Sequence, residues 1–126
     1  MSTATVVHPK LINRRRIARE IVSDMNKRGL PKYMQRAVVF YVLYRLRPGH
    51  FLTAVLSNDL VEAVGRADDT DCALLREWVR LFYNCEVIPG NCWGSKQHVL
   101  DWLAGDPRFT TFRNVDCWDD LMGDSA

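Results

Sequence analysis

Residues 50–103, HFLTAVLSNDLVEAVGRADDTDCALLREWVRLFYNCEVIPGNCWGSKQHVLDWL, decide the fold. Leu52, Val55, Leu56, Leu60, Ala63 and Val64 recur at the 3.6-residue period, with Thr53, Ser57, Asn58 and Glu62 between them. That pattern predicts one amphipathic helix over residues 50–66. The acidic stretch Asp68-Asp69-Thr70-Asp71 reads as a turn ahead of a second helix over 72–85, because carboxylates suit the unsatisfied N–H groups and positive dipole end of a helix start. That helix should bury Leu74, Leu75, Trp78, Val79 and Phe82. Pro89-Gly90-Asn91 breaks the chain, and Ser95 is a suitable cap for a short helix over 96–104 with Val99, Leu100, Trp102 and Leu103 inward.

Working outward toward the N-terminus, Ile17, Ala18, Ile21, Val22 and Met25 share one side of a helix over 10–28, and Gly29 ends it. Residues 1–9 carry no helical period and read as a flexible lead-in. Pro31 suits the first turn of a helix reaching residue 47. Its run AVVFYVLY is β-branched and aromatic enough to suit a buried strand, but its length and the lack of a partner strand favour a central helix. Toward the C-terminus, Gly105-Asp106-Pro107 stops the last periodic segment, and residues 105–126 read as an irregular acidic and aromatic extension. The expectation is an all-α domain over 10–104, a compact bundle of about five helices.

The chain has 126 residues, 48% of them apolar, which suffices for one core without covalent staples. Neither a secretory leader nor a run near the roughly 20 apolar residues of a membrane span is visible, so the expectation is a cytoplasmic protein with no membrane contact. Cys72, Cys85, Cys92 and Cys117 then read as reduced thiols. Net charge is +2, but it is unevenly spread. Residues 1–50 hold 11 Lys/Arg against Glu20 and Asp24, a net of +9; residues 51–126 hold 6 against 13 acids, a net of −7. The two halves either dock on each other or attract different partners.

The segments FLTAVLSNDLVEAVGRAD, ALLREWVRLFYN and CWGS resemble a family of small proteins encoded in tailed-phage and prophage genomes. The resemblance covers about residues 31–103 and rests on Pro48-Gly49, Asn58-Asp59-Leu60, Arg66-Ala67-Asp68 and Cys92-Trp93-Gly94-Ser95. It implies a phage setting and carries no activity with it. The basic helix over 10–28 and the acidic tail depart from the family pattern and look like additions.

Four groups of residues could carry function. Asn58, Glu62 and Arg66 lie four apart on the expected helix, with Asp59 and Asp68 nearby; Asp59 or Glu62 could serve as a base, but buried hydrogen bonding and an ordinary i,i+4 pair explain them as well. Cys85, Cys92 and His98 are more widely spaced than usual zinc ligands and suit a buried thiol role better, so no metal or other cofactor is expected. Trp93 is either a wedge between helices or an anchor for a partner. The fourth group is the charged ends: Arg15, Arg16, Arg19 and Lys27 on the basic side, Asp116, Trp118, Asp119 and Asp120 on the acidic side. They lead to a non-enzymatic reading, a phage accessory protein that binds a host protein or protein complex and inhibits host defence in the manner of an anti-CRISPR protein. The alternative is a nucleic-acid-binding protein using the basic helix, and the third is a metal-dependent protein at the Cys/His group. Oligomeric state is left open, a homodimer included.

Overall fold

The computed structural model describes residues 9–105 and 117–122. Among these residues the chain is all-helical, with no strand. Eight α-helices follow in order: α1 (Pro9–Lys27), α2 (Lys32–Tyr44), α3 (His50–Leu56), α4 (Leu60–Arg66), α5 (Asp69–Ala73), α6 (Leu75–Asn84), α7 (Lys96–Ala104) and α8 (Trp118–Met122). A 3-10 turn, Gly90–Cys92, precedes α7. The expected count of five is too low because two expected helices are each split and a further one forms near the C-terminus. No helix of the described residues is long and apolar enough to cross a membrane.

The N-terminal half follows its pattern. Ala18, Ile21 and Met25 of α1 are fully buried. Gly29 adopts a left-handed φ of 72°, and the Leu30 N–H donates back to Met25 O at 3.0 Å, closing the helix end in a Schellman turn over a buried Leu30. Helix α2 buries Val38, Val39, Tyr41, Val42 and Tyr44 and so forms the centre that its composition demanded. It stops at Tyr44, three residues before the expected end, because Arg45 takes a left-handed conformation (φ 59°), with the Arg45 N–H closing on Tyr41 O and the Leu46 N–H on Phe40 O.

The helix expected over 50–66 is two helices. Asn58 takes φ 61°, and the Asp59 N–H reaches Ala54 O at 2.9 Å. The Asp59 carboxylate then accepts from the Glu62 N–H at 3.1 Å and starts α4 afresh. Asparagine tolerates the left-handed region better than most side chains, so Asn58-Asp59 is a stop and a start in two residues. The kink turns Leu60 and Val64 out of the expected buried stripe; they are 65% and 45% exposed, beside Val61 at 83%, while Ala63 stays buried. The second expected helix is split likewise at Leu74. Asp68 caps α5 by accepting from the Asp71 N–H at 2.7 Å, and α6 buries Trp78, Leu81 and Phe82 while leaving Val79 in solvent. Ser95 caps α7 as expected, accepting from the His98 N–H at 3.0 Å. Val99 is the fully buried residue of that helix, and Leu100 is exposed.

Long-range side chains tie the helix ends together. The Trp102 indole N–H donates to Tyr41 O at 2.8 Å, and Arg45 Nη1 donates to Trp102 O at 3.1 Å. The Arg45 guanidinium also lies 3.8 Å from the Trp102 ring centroid. Tyr41 O and Trp102 O, in the last turns of α2 and α7, thus each accept a side-chain donor beside a main-chain N–H. Tyr41 OH donates to Cys92 O at 2.6 Å and fixes the corner that leads into α7.

Candidate functional site

The two charged ends of the chain meet. Arg15 Nε donates to Asp120 O at 2.7 Å, and Arg19 Nη2 donates to Met122 O at 3.1 Å. Both acceptors are main-chain carbonyls at the C-terminal end of α8, where the helix dipole is negative and the carbonyls lack intrahelical partners. Leu121 is 0% exposed beneath them. Trp118 packs edge-on against Phe40 with centroids 6.1 Å apart, and the Arg36 guanidinium lies 5.4 Å from the Trp118 centroid. Residues 118–122 of the tail are therefore a short helix seated on α1 and α2, and not the irregular extension expected there.

The other charged candidates stay at the surface. Arg16 pairs with Glu20 at 3.5 Å and donates to Asn13 Oδ1 at 3.0 Å. Lys27, Asp119 and Asp120 are exposed. Asp116 lies outside the described residues.

The mid-chain polar set is dispersed by the kink. Asn58 no longer shares a face with Glu62 and Arg66, which form an exposed pair at 2.7 Å. Asp59 spends its carboxylate on the cap of α4. Asp68 spends one oxygen on the cap of α5 and accepts from Tyr33 OH at 3.4 Å with the other. Asp71 is 6% exposed. Its carboxyl pKa is raised above the ordinary range, first by desolvation and then by the Asp68 charge, with the Trp78 indole N–H pulling the other way. Neither Asp71 Oδ1 nor Trp78 Nε1 meets a partner at hydrogen-bonding geometry, so this acid is held in the fold at a cost.

The Cys/His group is not brought together as a ligand set. Cys92 Sγ donates to Pro89 O at 3.2 Å, and burial pushes its thiol up to about 12. Burial also raises Cys85, which faces Asp24. His98 Nδ1 lies 2.8 Å from Trp93 O. Among the described residues no three His, Cys, Asp or Glu side chains gather as a metal site would need. All four cysteines are free thiols, Cys72 and Cys117 exposed.

The Asn58-Asp59-Leu60 and Cys92-Trp93-Gly94-Ser95 segments meet at one place. The Gly94 N–H donates to Leu56 O at 2.7 Å, which lays the Trp93-Gly94 corner on the Asn58 kink. A pocket of 160 Å³ opens there, lined by Val55, Asn58, Val79, Phe82, Trp93 and Gly94. A neighbouring depression joins Asn58 to Leu60, Ala63, Leu75 and Val79. Trp93 is half-buried against Phe82 and Tyr83, with centroids 6.5 and 6.3 Å away, so it is at once a wedge and a wall of this cleft. On the outer side of α6, Arg76, Val79, Arg80 and Tyr83 form an exposed row, Tyr83 at 76%. Sequence reading missed this row because it placed Val79 in the core. The spacing 76, 79, 80, 83 was its available signal.

No protein-family model matches the chain, and no curated protein or solved structure matches it either.

Proposed function

We propose that the chain is a non-catalytic accessory protein, of phage or prophage origin, that works in the host cytoplasm by binding a host protein; inhibition of a host defence complex in the anti-CRISPR manner is its most concrete form. The observation that carries binding is the set of large apolar side chains left in solvent around the Asn58 cleft: Leu60, Val61, Val64, Val79 and Tyr83. Leu60 and Val79 line the depression beside Asn58, and large apolar side chains left exposed beside a cleft favour an interaction face there. Arg76 and Arg80 flank Val79, so the fitting partner offers an apolar anchor with acidic groups around it. The charged surface of α1 and α8, with Arg16, Lys27, Asp119 and Asp120 exposed, steers and orients that encounter.

A nucleic-acid partner is the second reading, and its specific support is the exposed cations of α1. Arg15 and Arg19 are held by α8 carbonyls, which reduces the phosphate contacts that α1 can supply. The discriminating experiment is capture from infected cells with and without nuclease, at low and high salt, using the wild-type chain and Val61→Asp/Val79→Asp. The reading expects a protein that resists nuclease and tolerates salt, and that the double variant fails to hold. Capture that vanishes with nuclease or falls steeply with salt would move the assignment to nucleic acid.

A further inference from the structure

We infer that the groove across the Asn58 kink takes a short extended segment of the partner protein, an apolar side chain with an acidic residue on either side of it, whose main chain is held by the Asn58 carboxamide. The inference rests on the reading of this cleft as the docking face and adds what the partner must present there.

Asn58 borders three depressions that follow one another. The first is lined by His50, Ser57, Leu60, Glu62 and Lys96 among others. The second lies between α4 and α6, at Leu60, Ala63, Leu75 and Val79. The third is the 160 Å³ pocket walled by Phe82 and Trp93. Leu60 joins the first to the second, and Val55 and Val79 join the second to the third. Asn58 is exposed, and its carboxamide bonds to no other group among the described residues. A partner that covers the groove strips water from this amide, which then has to be given a donor and an acceptor. A peptide unit of an extended segment offers both, one N–H and one C=O, and matches a carboxamide group for group. The middle of a helix offers neither, because its main-chain groups are spent on its own turns. The junction therefore selects an extended segment.

Charge sets what flanks the anchor. The acids along the groove are engaged: the Asp59 carboxylate accepts from the Glu62 N–H at 3.1 Å, and Glu62 pairs with Arg66 at 2.7 Å. The cations are open. Arg76 and Arg80 beside Val79, and Lys96 at the other end, are exposed and form no ion pair among the described residues. A segment that fills the Trp93 pocket with a Leu, Met or Phe side chain thus meets cations on both sides of that anchor. An acid on each side completes the match. A second copy presenting this same face would set Arg76 and Arg80 against their own equivalents, and like charges disfavour that pairing.

The probe is a displayed library of random nine-residue peptides, selected on the full wild-type chain and depleted on Val61→Asp/Val79→Asp. Selection should return peptides with Leu, Met or Phe between acidic residues. A returned peptide, synthesised and titrated by fluorescence polarisation, should bind Asn58→Gly and Arg76→Glu/Arg80→Glu each roughly tenfold or more weaker at unchanged Tm. Asn58→Gly keeps the backbone turn and removes only the carboxamide. N-methylation of one peptide bond should weaken binding to the wild-type chain and add no further loss in Asn58→Gly, a coupling that a merely structural Asn58 would not give. Selected peptides without acids, peptides that bind as helices by circular dichroism, or an Asn58→Gly chain that binds as tightly as wild type overturn the inference, and so does the return of no peptide. A dimer in sedimentation that Val79→Asp disperses also overturns it and gives the face to a second copy. The docking reading keeps its own test, capture of a host protein from infected cells that Val61→Asp/Val79→Asp loses.

Discussion

Asp71, Arg45 and the four cysteines show how single side chains are held under constraint. The raised pKa of Asp71 means that its ionised form is disfavoured in the fold relative to the unfolded chain. Its contribution to stability is fully present below the ordinary carboxyl pKa and is lost as pH rises through the higher folded value. Asp71→Asn should therefore raise the Tm at pH 7, and the gain should vanish in thermal melts below the ordinary carboxyl pKa of about 4. A Tm gain that persists at low pH would point to packing instead. Arg45 holds a left-handed backbone and stacks on Trp102, and a Cβ at Gly105 would run into its side chain. Arg45→Ala loses the stack and keeps the strained φ, so it should cost about 1–2 kcal/mol in urea melts. Arg45→Gly should recover about half of that. Brief treatment with a maleimide should modify Cys72 and Cys117 and spare Cys85 and Cys92, as peptide mass mapping can show, because the buried pair are protonated as well as covered. The burial of Cys85 and Cys92 was legible in the sequence, and the constraints on Arg45 and Asp71 were not. Arg45 precedes no glycine, and nothing in the spacing of Asp71 and Trp78 distinguishes them from neighbours on a helix start.

At the scale of elements, the places where chain chemistry is unambiguous were legible and the kinks were not. Gly29 after a periodic run and Ser95 before one gave the ends of α1 and the start of α7 correctly, because each supplies a group that the helix terminus lacks. Asn58 sat inside an unbroken apolar period, and the period alone cannot report a residue that flips to positive φ. The consequence reaches the surface of the molecule. The kink moves Leu60 and Val64 from expected core to surface, and the cleft at Trp93 opens beside it. Asn58→Gly should leave stability within about 0.5 kcal/mol, since glycine adopts the same φ freely, while Asn58→Val should cost about 1–2 kcal/mol. Chemical denaturation of both variants checks the pair; equal losses would mean that the Asn58 side chain, and not its backbone, holds the turn. The tail was misread for a related reason: five residues are too few to show a period, and α8 owes its helix to what Arg15, Arg19 and Phe40 offer it.

For the molecule as a whole, charge and apolar surface divide the work. The sequence showed that charge is split between the halves, and the structure seats part of one end on the other through main-chain carbonyls. What composition could not show is where apolar residues remain uncovered, because exposure depends on how split helices rotate. The exposed residues of α4 and α6 have few neighbours to lose, so polar replacements there should leave the fold intact. That makes the central claim, that the Asn58 cleft and its apolar rim are the docking face, open to a direct measurement. Binding of the captured host protein is compared by titration calorimetry for the wild-type chain and Val61→Asp/Val79→Asp, alongside their Tm values. The account predicts an unchanged Tm within about 2 °C and an affinity lower by roughly 100-fold or more, as expected for loss of a central anchor. Unchanged affinity with unchanged Tm would contradict it.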